Sequence, residues 1–203
     1  MPGDTDEATA KAFIFDLDGT LVTFPIQWDR LRADLRKATE TDSEFKPLIH
    51  DIEAVIAKNP RNREIAFGIL DKYEIQALDK VVLHDNVPAL LVLLAGRARL
   101  SLVTLQGRKV CESLLRKFGL ETMFHSSFFR EDSLDRVTQL RMANESLGTQ
   151  VSETVFVGDR FDDYKAAMNL GMRFVMIGDR KEVGADFVRF NSISDYYELQ
   201  RKT

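Results

Sequence analysis

Lys11-Ala-Phe-Ile-Phe-Asp-Leu-Asp-Gly-Thr-Leu-Val22 is apolar from Ala12 to Phe15 and then turns abruptly acidic. Phe13, Ile14 and Phe15 suit a strand buried on both faces, the pattern of a parallel sheet inside an α/β protein. Asp16 and Asp18 follow with one residue between them, and a strand's period of two sends both to the same side. Two acids at the end of a buried strand repel each other unless a cation stands beside them or one holds a proton. Ligand sites in open α/β sheets form at the carboxyl ends of the strands, where this pair falls. An acidic strand-to-loop turn, with Asp and Gly serving only as turn formers, is the plainer alternative.

The chain has 203 residues, enough for one α/β core plus a modest insertion. Hydrophobic residues make up 44% and charged residues 30%, the balance of a soluble globular protein. A net charge of -4 gives no general attraction to nucleic acid or to an anionic membrane. The single cysteine, Cys111, rules out an internal disulfide and fits a reducing, cytoplasmic setting. It lies in a helical pattern beside Leu114 and Leu115, as a buried thiol would. The start, Met1-Pro-Gly-Asp-Thr-Asp-Glu-Ala8, is acidic and does not read as a signal peptide. Residues 1–10 are expected to form a disordered tail. The run 87–95 is interrupted by Pro88 and is too short to span a bilayer.

Working outward, Ile26, Trp28, Leu31, Leu35 and Ala38 recur at helical spacing. Phe45, Leu48, Ile49, Ile52, Val55 and Ile56 carry a second helix that stops near Pro60, and a third runs from about 61 to 78. Residues 24–80 therefore read as a small all-helical insertion after the first strand. From 81 onward, strands are expected near 100–103, 127–129, 154–157, 173–177 and 186–190. Helices alternate with them at 87–94, about 110–118, 134–147, 164–170 and 195–201. This alternation predicts a Rossmann-like, three-layer core with a parallel sheet covered on both faces, built from 11–23 and 81–203.

Three strand ends carry complementary chemistry. The first offers Asp16 and Asp18. The second offers Thr104 and the main-chain N–H groups after it, beside a helix start suited to an anion. The third offers Asp159, with Asp162 and Asp163 close behind. Carboxylates from separate strand ends suit Mg²⁺, which takes one or two of them together with phosphate oxygens. Metal and anion sites on neighbouring strand ends make a phosphoryl-transfer centre.

Phe-Ile-Phe-Asp16-Leu-Asp18-Gly19-Thr20 resembles the first motif of the haloacid dehalogenase-like hydrolase superfamily. Val157-Gly158-Asp159-Arg-Phe-Asp162-Asp163 resembles its fourth, and Leu102-Val103-Thr104 before a helix resembles its second. The helical insertion is similar to the cap of the subgroup that includes phosphoglycolate phosphatase and β-phosphoglucomutase. The resemblance implies that Asp16 attacks phosphorus to form an aspartyl-phosphate and that Asp18 acts as general acid and base. It implies Mg²⁺ held by Asp16, Asp159 and the backbone carbonyl of Asp18, with Asp163 near the metal. Thr104 would bind a phosphoryl oxygen, helped by the N–H groups of Leu105 and Gln106. An acid at position 18 favours phosphatase or phosphomutase chemistry over dehalogenation.

Two departures stand out. Leu105 follows Thr104 where the family's second motif has Asn. The family's third motif supplies a Lys, and no Lys lies anywhere from 120 to 157. Arg136 is the nearest replacement and Arg130 a second candidate, although the planar guanidinium would not superimpose on an ammonium. The implied activity is Mg²⁺-dependent hydrolysis of a small phosphomonoester, a small phosphorylated metabolite. A sugar phosphomutase is one alternative. A catalytically weak member that binds a phospholigand or a protein is the other, with the missing Lys as its support.

Asp162 reads as a helix-start acid. His50, His84 and His125 read as surface or packing residues, Trp28 as core or pocket lining, and Arg30, Arg32, Arg61 and Arg63 as a solvated cap face. Phe24 and Lys80 flank the two crossings between core and insertion, where hinge motion is expected.

Overall fold

A computed structural model describes residues 10–178 and 187–202. The expected tail lies outside the described residues except for Ala10, which is buried. Six parallel strands form one sheet in the order β5-β4-β1-β6-β7-β8. They are β1 (Ala12–Phe15), β4 (Arg99–Val103), β5 (Ser126–Phe128), β6 (Thr154–Gly158), β7 (Arg173–Ile177) and β8 (Val188–Phe190). All four residues of β1 are buried, as the apolar run requires for a central strand.

The strand period of two divides the core into two layers. Phe13, Phe15, Leu100, Leu102, Val155 and Val157 face one side with α4 (Val87–Ala95), α5 (Arg108–Lys117) and α8 (Ile193–Gln200). Ala12, Ile14, Phe156, Phe174 and Met176 face the other, against Leu140, Ala143 and Leu147 of α6 (Arg136–Leu147) and Ala166 and Ala167 of α7 (Phe161–Leu170). From β1 the chain steps to β4 and β5 on one side, then returns to β6 on the other. The strand order therefore reverses beside β1, the position where open α/β sheets form a crevice.

Between core strands, the chain forms α1 (Trp28–Thr39), α2 (Leu48–Lys58) and α3 (Asn62–Ala77). These helices enclose a separate cluster of Leu31, Leu35, Phe45, Ile52, Val55, Ala66, Leu70 and Tyr73. Leu134, from the loop before α6, packs against this cluster.

The root of the insertion differs from expectation. Val22–Thr23 (β2) pairs antiparallel with Val82–Leu83 (β3). A two-residue strand is too short to show a period, so neither was legible. His84 pins this ribbon to the acidic loop, with Nδ1 2.9 Å from the Thr20 carbonyl and Nε2 2.8 Å from Thr23 Oγ1. Helix α6 starts at Arg136, two residues after the expected start. Helix α7 starts at Phe161, three residues before it, which puts Asp162 and Asp163 in its first turn. Among the described residues, no helix is long and apolar enough to cross a membrane.

Candidate active site

Phe15 is level with Leu102 of β4 and Val157 of β6. Asp16, Thr104 and Asp159 therefore leave three adjacent strands at nearly one height. Asp16 is 4% exposed and its N–H donates to the Val157 carbonyl at 2.9 Å. Gly19, at φ 89°, turns the loop back so closely that a Cβ there would stand 2.4 Å from Asp159 Oδ2. Only glycine admits both that conformation and that approach. Asp18 Oδ1 accepts the Phe24 N–H at 2.9 Å, which ties the second acid to the start of the insertion.

Asp16, Asp159 and Asp163 are all buried, and one oxygen of each lies within 4.8 Å of the others. Asp163 reaches this cluster because α7 begins early. Burial pushes the Asp16 carboxyl well above its ordinary value, Arg136 opposes that shift, and Asp163, Asp159 and Asp18 add to it. The Arg136 guanidinium lies across the cluster, with Nη2 2.7 Å from Asp16 Oδ1 and Nε 2.9 Å from Asp163 Oδ1. Burial works against the Arg136 charge, but the Asp163 and Asp16 carboxylates outweigh it and hold the group above its ordinary value. Arg136 thus faces the carboxylates of Asp163, Asp16 and Asp159 together. Asp163 Oδ2 is buried with no hydrogen-bond partner. An all-oxygen donor set with an orphaned carboxylate oxygen fits a hard divalent cation such as Mg²⁺.

Gln139 is a residue that sequence reasoning missed. Its Oε1 accepts from Arg136 Nη1 at 3.0 Å. Its Nε2 donates to the carbonyls of Thr104 (2.9 Å), Ser133 (2.9 Å) and Phe129 (3.2 Å). One buried amide thus joins the arginine to the Thr104 loop. The pattern held no signal for it beyond a polar residue on the buried face of α6, three places after Arg136.

Thr104 is fully buried; its hydroxyl donates to Gln106 Oε1 and accepts the Gln106 N–H at 3.3 Å. The start of α5 is less open to an anion than its sequence suggested. Glu74 Oε2 accepts the Gly107 N–H at 2.9 Å, and Glu131 accepts the Arg108 N–H at 3.0 Å. Two carboxylates already occupy the first two N–H groups of that terminus, so an anion beside Thr104 meets the Leu105 and Gln106 amides first.

The two arginine candidates separate clearly. Arg136 meets Asp16. Arg130 instead pairs with Glu74 and Asp71 of α3, away from the carboxylate cluster. Asp162 is exposed and pairs with Lys165 at 2.9 Å. Cys111 is buried, and burial pushes its thiol well up, away from the thiolate a nucleophile needs. Arg63, read as part of a solvated face, donates to the Glu131 carbonyl at 3.1 Å and so touches the core.

Residues 13–177 match the family model of the haloacid dehalogenase-like hydrolases. The chain belongs to that family. Solved structures share the fold at low identity. A candidate phosphoglycolate phosphatase from Lactobacillus plantarum has a TM-score of 0.70 at 21% identity, over 94% of this chain and 99% of that one. CbbY from Rhodobacter sphaeroides, solved in complex with phosphate, has a TM-score of 0.67 at 18% identity, over 92% and 96%. A phosphatase of the family from Thermococcus onnurineus has a TM-score of 0.63 at 21% identity, over 93% and 97%. No curated protein sequence matches the chain.

Proposed function

We propose that this hydrolase is a phosphatase that cleaves a small phosphomonoester through an aspartyl-phosphate on Asp16. The observation that carries this reading is the buried cluster of Asp16, Asp159 and Asp163 with Arg136, one strand away from Thr104. Asp16, Asp159, Asp163 and the main-chain carbonyl of Asp18 would hold Mg²⁺, which when bound adds positive charge against the phosphoryl oxygens.

The chain's own groups account for the remaining chemistry. Thr104 Oγ1 and the amides of Leu105 and Gln106 orient the phosphoryl group, the hydroxyl first leaving Gln106. Arg136 opposes the effect of burial on Asp16 and aims its carboxyl group. An Asp16 oxygen attacks phosphorus, and the bond from phosphorus to the alcohol oxygen breaks. Asp18 gives its proton to that oxygen. Asp18, now a carboxylate, takes a proton from water, whose oxygen attacks phosphorus and frees both phosphate and Asp16. The Phe24 N–H holds Asp18 for both transfers. Residues 24–80 act as the cap that excludes water. The substrate is a small phosphorylated metabolite, since the attacking carboxylate is almost wholly enclosed. A cytoplasmic location accords with the single, buried cysteine.

Arg136 beside Asp16 weakens the case for a non-catalytic binding module, which rested on the missing lysine. The test is phosphate release from an aryl phosphate with Mg²⁺. Wild type should turn over, and both Asp16→Asn and chelated wild type should not. A wild type that releases no phosphate from any of a panel of phosphorylated metabolites would contradict the reading.

A further inference from the structure

Arg130 is 1% exposed and Glu74 is 5% exposed, whereas most charged side chains among the described residues reach solvent. They come from different parts of the chain, Arg130 from the loop after β5 and Glu74 from α3 of the insertion. Arg130 Nη1 donates to Glu74 Oε1 at 2.7 Å and Nη2 to Glu74 Oε2 at 3.1 Å, a bidentate pair. Asp71, one turn earlier on α3, also accepts from Nη2. A buried ion pair is weak evidence for stability, because desolvating both groups offsets their attraction. Its retention calls for another reason, and the surrounding contacts supply one.

The pair holds the segment that follows Thr104. Arg130 Nη1 donates to the Leu105 carbonyl at 2.9 Å, and the Arg130 N–H donates to the Gln106 carbonyl at 3.2 Å. Glu74 Oε2 accepts the Gly107 N–H at 2.9 Å. Three consecutive residues of the loop are thus fixed by one arginine and one glutamate. The approach is close: a Cβ on Gly107 would stand 2.4 Å from Asp71 Oδ1 and 2.7 Å from Arg130 Nη2. The Leu105 and Gln106 amides, the groups a phosphoryl oxygen meets first, are therefore aimed by a carboxylate on the insertion.

We infer that Glu74 and Arg130 are positioning residues that couple docking of α3 to phosphate binding by the 104–107 loop. The inference rests on the phosphatase reading for the identity of the ligand. When α3 lifts, Glu74 leaves the Gly107 N–H, Arg130 loses its partner, and the loop loses its shape. The insertion then contributes to the phosphate subsite without touching phosphate.

Linkage makes this testable on the wild-type protein. If docked α3 strengthens phosphate binding, bound phosphate must strengthen α3 docking by the same factor. Amide hydrogen exchange is measured with Mg²⁺, with and without saturating inorganic phosphate. Protection should rise at 104–107 and also at 71–77, there by about 5-fold or more. Protection confined to 104–107, with 71–77 unchanged, overturns the coupling while leaving the phosphate site intact. No protection at 104–107 overturns the phosphate site itself, and the coupling with it. A second arm uses calorimetric binding of inorganic phosphate. Glu74→Ala should weaken it by about the same factor, raising KM for an aryl phosphate more than it lowers kcat. Glu74→Gln, which keeps an acceptor for the Gly107 N–H but loses one of the two Arg130 contacts, should restore part of the loss. A folded Glu74→Ala with wild-type phosphate affinity refutes the inference, and the exchange experiment decides it if that variant does not fold.

Discussion

Arg136 occupies the first position of α6, where the helix dipole disfavours a cation. Its two carboxylate partners outweigh that cost, and the fork geometry lets one side chain bridge Asp16, Asp163 and Gln139 at once. A lysine presents a single point of charge and cannot span the three. Arg136→Met should lower kcat by about 10²–10³, the usual effect of removing one donor from a reacting oxyanion. Arg136→Lys should recover part of this; steady-state phosphate release measures both. Mg²⁺ at 100 times its dissociation constant should stabilise the fold by about 2.7 kcal/mol, roughly 5–10 °C in Tm. Asp159→Ala should abolish that rise in a thermal melt, and an unchanged rise would place the cation elsewhere. At this scale the strand-end acids were legible because each follows an apolar run that stops abruptly. Gln139, Glu74 and the role of Arg130 were not. Arg130 and Glu74 lie 56 residues apart in the chain, and Gln139 and Thr104 lie 35 apart, so no local pattern links them.

Helix α6 carries Arg136 and Gln139, so its first turn matters to the site. Asp135 caps it, accepting the Thr138 N–H at 2.9 Å and the Thr138 hydroxyl at 2.6 Å. Burial tends to raise the Asp135 carboxyl, but these hydrogen bonds outweigh it and hold the group below its ordinary value. A carboxyl lowered on folding contributes stability above its unfolded pKa of about 3.9, and loses it as pH falls through the folded value. Asn caps helices as well but does not titrate. Wild type should therefore exceed Asp135→Asn in Tm by a constant amount above about pH 5. The difference should shrink as pH falls further; a pH-independent difference would show that the charge contributes nothing. The helices and long strands of the core were legible from periodicity. The two-residue ribbon of β2 and β3 was hidden because it owes its form to His84 and to partners about 60 residues apart.

Over the whole molecule, two hydrophobic layers clasp the sheet while the insertion keeps a third cluster of its own. Separate clusters allow local unfolding below the global limit. Phe45 is fully buried in the insertion's cluster, and truncating a buried phenylalanine costs about 3–5 kcal/mol. Phe45→Ala should raise amide exchange in α1–α3 and leave β1, β4 and β6 protected. Equal loss throughout would show one cooperative unit. The three helices between 24 and 80 were legible from their apolar spacing. How the insertion grips the core was not, because that contact runs through Leu134, Glu74, Arg130 and Arg63 rather than through any repeat. All of this positions one attacking oxygen, so the account stands or falls on Asp16. Wild type mixed with Mg²⁺ and a substrate radiolabelled in its phosphoryl group, then quenched in acid within one turnover, should carry label on the peptide containing Asp16. Asp16→Asn should carry none. Turnover by wild type with no label on that peptide, and persisting in Asp16→Asn, would contradict the aspartyl-phosphate mechanism.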